Sequence, residues 1–300
     1  MARELDRPSA VTPEVRGATA RRGGWLRQLW LSGDAWRHLL ILLACVLTFY
    51  PFAQLVVMSL KSTDQFQIDP FGLSFPFYLV DNYTAAWQAI SPFILNSIIY
   101  SGGSTIGVLA LASFTAYVFA RFRFPAKELL YYLIIVLLMI PPVLTLIPQF
   151  VLVKTLGLLD TRWALILPYI AGGQVFGIFL LRSFYASQPQ ELFEAAQIDG
   201  AGDLQTYWRI ALPLSKAILG TLAVLNVVGT WNDIVWPTIV FSNPSLQNLS
   251  VGLTVFESEY NTNWGPLFAG YVLAALPLLI LFAVASRWFI EGFSSGAVKI

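Results

Sequence analysis

One short polar segment stands between long apolar stretches of this chain, and its residues are spaced for recognition of a partner rather than for covalent chemistry. It holds Glu194-Ala195-Ala196, then Gly200, and later Ile210-Ala211-Leu212-Pro213. Glu191 and Glu194 favour the positive N-terminal end of a helix, and Gly200 suits the left-handed turn that ends one. The spacing predicts a helix, a sharp turn and a second helix. A membrane protein has little reason to keep such a segment unless something docks there.

The first of these two helices is expected to begin at Pro189, because a first helical position needs no N–H donor. Asp203 is expected to cap the second helix with its carboxylate. A stripe of apolar and mostly small side chains would let the first helix sink into a groove on a partner: Leu192, Phe193, Ala195 and Ala196. The alternative is a plain amphipathic loop that lies on lipid headgroups.

A second group of polar residues lies inside an apolar run. Four of them share one face of a helix at i, i+3, i+4 and i+7: Asn226, Gly229, Thr230 and Asp233. An ionisable side chain that faces lipid costs about 2.5 kcal/mol or more, so Asp233 should face protein or water. It either bonds a neighbouring helix or, with Trp231 and Asn232, lines a translocation pathway. Trp231 and Trp236 are either interfacial anchors or platforms for a sugar ring.

Motifs for covalent or metal chemistry do not occur in the sequence. It has no Gly-rich loop ending in Lys-Ser/Thr, no metal-ligand cluster and no nucleophile elbow. His38 is expected to be an interfacial residue, and Cys45, the one cysteine, cannot form an internal disulfide. We therefore expect no enzymatic activity, no catalytic residue, no bound metal or cofactor, and no nucleic-acid partner.

The composition identifies the class of protein. Hydrophobic residues make up 57% of the 300 residues and charged residues 12%, and the mean hydropathy is +0.67; these values lie outside those of soluble domains. A bilayer-spanning helix needs about 20 apolar residues. Runs of that length lie at 39–60, 94–119, 129–152, 163–184, 214–240 and 266–290. The sequence thus predicts an all-α membrane protein with six transmembrane helices over 39–290, flanked by tails at 1–38 and 291–300.

Several of these runs contain residues that break helices. Pro141-Pro142 and Pro148 remove backbone donors from the third run, which should kink or break there. Gly172-Gly173-Gln174 interrupts the fourth run and Asn226 the fifth. The ends of these two runs are therefore poorly defined by the sequence.

The basic residues predict the orientation in the cell membrane. If both termini are cytoplasmic, only Lys61, Lys154 and Arg162 of the 18 Lys and Arg residues lie on the outer side. Such a bias is typical of the positive-inside rule. It also places the polar segment 188–213 in the cytoplasm, where ATP is available.

The polar segment resembles the EAA loop of ATP-binding-cassette importer permeases, with a match at each defining position. In that family the loop forms a coupling helix that seats in a cleft on the ATPase subunit. The resemblance implies that Glu194 contacts a basic residue of the ATPase, that Ala195 and Ala196 pack in its groove, and that Gly200 makes the turn. The residues assigned to this coupling are Glu194, Ala195, Ala196, Asp199, Gly200, Ile210, Leu212 and Pro213.

Weaker motifs over residues 40–300 resemble the carbohydrate branch of that family, specifically the second permease of the maltose system. They are Asn82-Tyr83 before the second run, Asn96-Ser97 at its start, Ala116-Tyr117 and Ala120-Arg121-Phe122 at its end, Pro148, the segment 156–161, Trp231-Asn232-Asp233, and Gly296-Ala297-Val298-Lys299.

This resemblance implies the fold of a type I importer permease with a cytoplasmic coupling helix. It also implies a set of partners: a second permease that forms a heterodimer with this chain, two ATPase subunits that bind ATP and magnesium, an extracytoplasmic solute-binding protein, and a carbohydrate substrate. This chain would form half of the pathway.

Other functions stay open at this point. The same motifs occur in importers of polyols and of glycerol phosphate, and another solute such as an amino acid is a further alternative. An ion-coupled secondary transporter would use Asp233 as its coupling carboxylate. A membrane scaffold without transport is the remaining possibility.

Overall fold

The structure, a computed structural model, describes the backbone of residues 35–297 and the side chains of residues 36–286. Every regular element within this range is helical, which confirms the prediction of an all-α fold. Residues 1–34 of the predicted N-terminal tail and the last three residues lie outside the described range, so the division of the chain into two tails and a membrane domain stays a prediction.

The chain divides into two units, residues 1–53 and 54–300. In the first unit, helix α1 (Ala35–Ser59) begins, and its side chains from 36 to 53 are all exposed. Because most of these side chains are apolar, this part of α1 requires apolar surroundings such as lipid or another chain.

The second unit contains twelve further α-helices in its described part. They are α2 (Thr63–Ile68), α3 (Leu79–Arg121), α4 (Lys127–Val136), α5 (Pro142–Thr155), α6 (Trp163–Ser187), α7 (Gln190–Ile198), α8 (Asp203–Thr206), α9 (Leu212–Leu214), α10 (Lys216–Trp231), α11 (Val235–Val240), α12 (Leu249–Tyr260) and α13 (Trp264–Ala297). Single 3-10 turns lie at Leu137–Met139 and Pro244–Leu246, and a π-helical turn lies at Tyr207–Ala211.

Four of these helices are long and apolar enough to cross a membrane: α1, α3, α6 and α13. Two bent pairs complete the set of six if each pair is one span. Residues 127–139 meet α5 at 104°, and residues 203–214 meet α10 at 74°. The first bend lies at Pro141-Pro142, where the sequence predicted a break, because a proline lacks the N–H that a continuous helix would use.

Helix α3 is longer than predicted. It starts at Leu79, fifteen residues before the predicted run, and continues through Pro92 for 43 residues in all. Asn82-Tyr83 and Asn96-Ser97 therefore lie inside the helix, not before it and at its start. The apolar run was a poor guide because this helix buries polar side chains such as Asn82 and Asn96 against other parts of the chain.

Gly172-Gly173-Gln174 does not interrupt the fourth span, which is one continuous helix, α6. The glycines permit close packing instead. A Cβ atom at Gly173 would lie 2.5 Å from Val108 Cγ2, and one at Gly177 would lie 2.8 Å from Ala112 Cβ. Helices α3 and α6 therefore approach each other through small residues, as is common between membrane helices.

The last two predicted runs also have different bounds. Helix α10 ends at Trp231 and a turn precedes α11, so the run 214–240 is not one helix. Helix α12, which lies between the last two spans, has no counterpart among the predicted runs. Helix α13 passes position 290 and reaches Ala297, so the helix does not end where the predicted tail begins.

Candidate functional site

The EAA-like segment folds into helix α7, a turn and helix α8. Pro189 has a ψ of 131° and precedes the helix, which begins one residue later than predicted. At the other end, Gly200 has a φ of +82°. Its N–H donates to the Gln197 carbonyl (3.0 Å) and the next N–H, of Ala201, donates to the Ala196 carbonyl (2.9 Å). This pair of bonds is a Schellman turn, and the prediction that Gly200 makes the turn at positive φ is confirmed.

The expected cap of the second helix is wrong. Asp203 is the first residue of α8, the preceding Gly202 occupies the capping position, and the side chain of Asp203 makes no capping bond. Gly202, with a φ of −71° and a ψ of 165°, already has the extended backbone of a capping residue, so the helix begins at Asp203.

Helix α7 has one face against the rest of the chain and one face open. Phe193 and Ala196 point inward and are only 6% and 7% exposed, whereas Glu194, Ala195 and Ile198 are exposed. The expectation that Ala195 and Ala196 both pack in an ATPase groove is therefore corrected, because Ala196 packs within its own chain. Ile198 at the tip is 86% exposed.

The remaining coupling residues lie around the turn and the following segment. Asp199 is exposed at the end of α7. Ile210 and Leu212 are half-buried against the cluster of buried residues formed by α3, α6 and α10. Pro213 is exposed and follows the π-helical turn, in which the N–H of Leu212 donates to the carbonyl of Tyr207. The wider turn has a clear cause, because proline cannot donate to the carbonyl four residues earlier.

A buried polar network lies beneath α7. Ser113 Oγ of α3 bonds the hydroxyl of Tyr185 on α6 at 2.7 Å, and it accepts from the hydroxyl of Tyr207 at 3.0 Å. Ser215 Oγ donates to the carbonyl of Ala211 at 2.6 Å and accepts from Gln188 Nε2 at 3.5 Å. The network therefore ties α3, α6 and the segment 207–215 together. This network could not be predicted, since isolated Ser and Tyr residues in apolar runs give no signal of their pairing.

The predicted pathway residues lie around a cavity of about 540 Å³ between α5, α6 and α10. The cavity is lined by four of the five predicted residues, Asn226, Thr230, Asn232 and Asp233, and by Trp236, which was considered as a platform for a sugar ring. Three further polar and aromatic lining residues were not predicted: Gln149, Tyr169 and Phe176. Gly172 and Gly229 leave open space where a side chain would stand.

Asp233 does not share a helix with Asn226, because α10 ends two residues before it. Its Oδ1 accepts from the N–H groups of Val235 (3.0 Å) and Trp236 (3.2 Å), which caps α11. Its Oδ2 accepts from the Tyr169 hydroxyl of α6 at 2.9 Å. The bond to a neighbouring helix, one of the two alternatives for Asp233, is therefore found. Asp233 also lies on the cavity wall, and its place in a translocation pathway stays a prediction.

Asn226 and Thr230 also bond a neighbouring helix. Asn226 Nδ2 donates to Thr105 Oγ1 at 2.8 Å, and Thr230 Oγ1 donates to Ser101 Oγ at 2.9 Å. Both bonds join α10 to α3 beside the cavity.

The two tryptophans have different surroundings. Trp231 is 5% exposed, packs in the core with Ile90 and Leu249, and does not line the cavity. Trp236 is buried, its Nε1 donates to the Ala164 carbonyl at 2.9 Å, and it also borders the cavity. The roles of interfacial anchor and of platform for a sugar ring stay predictions.

Several of the weaker motifs hold loops at the end of the bundle away from α7. Asn82 Nδ2 donates to the carbonyls of Ser59 and Lys61 (2.9 and 2.8 Å). Asn96 Nδ2 donates to the carbonyls of Ser245 and Gln247 (2.8 and 3.0 Å). Asp160 Oδ1, at the other side of the same loop, accepts from the N–H groups of residues 242 and 243. These amide and carboxylate side chains thus hydrogen-bond the backbone of the loops and hold them against the helices.

Comparison with known proteins places this geometry in a family. Residues 108–295 match the family described as binding-protein-dependent transport system inner membrane component. The chain is 34% identical over 266 residues to the diacetylchitobiose uptake system permease protein NgcG of Streptomyces coelicolor, covering 87% of this chain and 88% of that protein. It is 32% identical over 270 residues to the sn-glycerol-3-phosphate transport system permease protein UgpE of Yersinia pestis, covering 86% and 95%.

The fold is also that of a solved transporter. A chain of a bacterial ABC transporter involved in the import of the acidic polysaccharide alginate superimposes with a TM-score of 0.75, at 22% identity, over 88% of this chain and 98% of that one. The same family is indicated by the sequence matches, by the shared fold and by the helix–turn–helix with its exposed outer face. The chain belongs to the family of inner-membrane components of binding-protein-dependent transport systems, the permeases of ABC importers.

Proposed function

We propose that this chain is one of two permease subunits in an importer that carries a carbohydrate across the cell membrane. The observation that carries the proposal is the outer face of α7. Glu194, Ala195 and the almost fully exposed Ile198 point away from the chain, while the inner face is packed. An apolar side chain exposed beside a carboxylate at a helix tip suits a protein partner.

The partner at α7 would be an ATPase subunit, as the resemblance to the EAA loop implies. Glu194 would meet a basic residue of the ATPase and Ala195 would pack against it. Two such subunits would bind the ATP and magnesium, and this chain would bind no cofactor itself. Movement of α7 with the ATPase would tilt the spans and open the pathway alternately to each side.

The carbohydrate assignment is supported by the cavity and by one relative. Amide, hydroxyl and carboxylate groups line the cavity together with aromatic rings, and such groups hydrogen-bond the hydroxyls of a sugar. NgcG is a permease of diacetylchitobiose uptake. One chain would form half of the pathway, a second permease the other half, and an external binding protein would deliver the solute.

Glycerol phosphate is the second candidate, because UgpE is a permease of an sn-glycerol-3-phosphate transport system. Asp233 on the cavity wall disfavours it, since a carboxylate repels a phosphate. Cells that express the whole importer should take up a neutral disaccharide, and excess sn-glycerol 3-phosphate should not compete. Competition by glycerol phosphate, or by a polyol alone, would assign the other substrate class.

Coupling to an ATPase is tested at the turn after α7. Gly200→Val forces a branched side chain into left-handed backbone, which costs about 1–2 kcal/mol, and we expect the ATPase subunit to co-purify about tenfold less. Gly202→Val is the matched control, because Gly202 has a φ of −71° and open surroundings. Equal recovery of the ATPase with both variants would count against the proposal.

A further inference from the structure

We infer that Arg121 is a positioning residue that transmits movement from α7 to the long helix α3. The inference rests on the proposed function, in which α7 docks on an ATPase. Arg121 is the last residue of α3, and the Ala120-Arg121-Phe122 motif that contains it has no part in the coupling or pathway assignments made above.

Arg121 contacts both α7 and the short connection that leads into it. Its guanidinium carbon lies 3.7 Å from the centroid of the Phe193 ring, on the inner face of α7. Its Nη2 donates to the carbonyl of Gln188 at 3.0 Å, just before α7 begins. A planar guanidinium can stack on a ring and donate in its own plane at the same time, which a lysine ammonium cannot do.

The surroundings of Arg121 leave the guanidinium little choice of position. Nε is buried and has no hydrogen-bond partner in the described part of the chain, so the ring of Phe193 and the carbonyl of Gln188 define its placement. The guanidinium is attracted to the face of the ring and bonded to the carbonyl. A displacement of α7 toward or away from α3 would therefore also displace Arg121.

The same face of α3 continues the connection into the bundle. Ser113, Tyr117 and Arg121 are spaced at i, i+4 and i+8, which places them on one face of the helix. The ring of Tyr117 lies 6.5 Å from that of Phe193, 5.8 Å from that of Tyr185 and 5.2 Å from that of Tyr207. Ser113 bonds both of these tyrosines. A displacement of α7 would thus reach α3, α6 and the segment 207–215 through packed groups.

A matched control exists within the chain. The guanidinium of Arg182 lies 3.7 Å from the ring of Tyr131 and donates to both carboxylate oxygens of Glu128 at 2.7 and 2.8 Å. This contact joins α4 to α6 and does not involve α7. Loss of Arg182 therefore removes a cation–π contact of the same length without releasing the coupling helix.

The test uses the assembled importer in proteoliposomes with its binding protein and a neutral sugar. For Arg121→Ala we expect the ATPase subunit to remain bound and ATP hydrolysis to continue, while solute uptake per ATP falls about tenfold, within the range of known coupling between sites. Arg182→Ala should keep this ratio within about twofold. Arg121→Lys should restore only part of it, since it returns the charge without the planar fork.

Three results would overturn the inference: an unchanged ratio of uptake to hydrolysis in Arg121→Ala, an equal fall in Arg182→Ala, or loss of the ATPase subunit from Arg121→Ala. Should Arg121→Ala fail to accumulate, Phe193→Leu keeps an apolar side chain without the ring and carries the same expectation. Failure of the unsubstituted chain to retain any ATPase would instead reject the proposed function.

Discussion

Asp233 combines structural hydrogen bonds with a place beside the cavity that we propose for the solute. It caps α11 with one oxygen, bonds Tyr169 with the other and lies on the wall of the cavity. Asparagine keeps one oxygen that can accept from the two backbone N–H groups, and its amide nitrogen can donate to the Tyr169 hydroxyl, whereas alanine can form none of these bonds. The two substitutions can therefore separate its structural role from its role in transport.

Asp233→Ala should lower the free energy of unfolding by about 1–2 kcal/mol, because a cap and a bond to Tyr169 are both lost. Thermal unfolding of the purified protein in detergent measures this effect. Asn232→Ala is the control: its Nδ2 bonds only the Val228 carbonyl of its own turn, and the change should stay within about 0.5 kcal/mol. Equal stability of the two variants would contradict the capping role.

Asp233→Asn tests the pathway role at the same position. The amide oxygen can still accept from the two backbone N–H groups, so we expect the unfolding temperature to remain near that of the unsubstituted chain. Uptake of a neutral sugar should fall if the carboxylate contacts the solute. Unchanged uptake at unchanged stability would restrict Asp233 to a structural role.

Among the elements, the contact between α3 and α6 depends on glycines that the sequence presents ambiguously. Gly172 and Gly173 are neighbours, yet a Cβ at Gly173 would meet Val108 of α3, whereas a Cβ at Gly172 would meet no atom within 4 Å. Both glycines border the cavity, but only Gly173 is also part of the contact with α3.

Gly173→Val should lower the free energy of unfolding by about 1–3 kcal/mol, since the added atoms overfill the contact between the helices. Gly172→Val should leave the stability nearly unchanged but narrow the cavity, and so reduce solute uptake. Unfolding and uptake should be measured for both variants. A loss of stability in Gly172→Val together with a stable Gly173→Val would contradict this assignment.

The sequence predicted elements well where a residue type has one physical meaning. A pair of prolines breaks a span and Gly200 adopts positive φ, and both are found. The sequence was a poor guide where a residue type suits more than one environment. Alanine suits an exposed or a buried face equally, so Ala196 could not be assigned to its own core before Phe193 was seen to point inward.

The end of α10 illustrates a second limit. The sequence is apolar on both sides of Asn232-Asp233 as far as residue 240, and helical spacing cannot report that Asp233 leaves the helix to cap the next one. Nevertheless, four of the five pathway residues line one cavity. Asn226 and Thr230 reach the cavity from one face of α10, whereas Asn232 and Asp233 reach it from the turn before α11.

At the scale of the whole molecule, the distribution of basic residues predicts which face is cytoplasmic, and two exposed positions can test it. Ile198 lies at the tip of α7, and Ser258 lies in α12, one span away. In a Cys45→Ser background, Ile198→Cys should react with a membrane-impermeant maleimide only in inverted vesicles. Ser258→Cys should react only in intact spheroplasts, and the reverse pattern would invert the topology.

The length of α3 has a consequence for the complete transporter. At about 1.5 Å per residue, its 43 residues extend roughly 65 Å, about twice the hydrocarbon thickness of a bilayer. Asn82 fastens a loop at one end of this rod and Arg121 contacts α7 at the other. If the ATPase subunits tilt α7 when they close on ATP, α3 would carry that tilt along one continuous helix. It would reach the opposite surface of the bundle, where the solute-binding protein would dock. Pro92 is the one proline along this rod, and it is where a hinge would have to form if the two surfaces move independently.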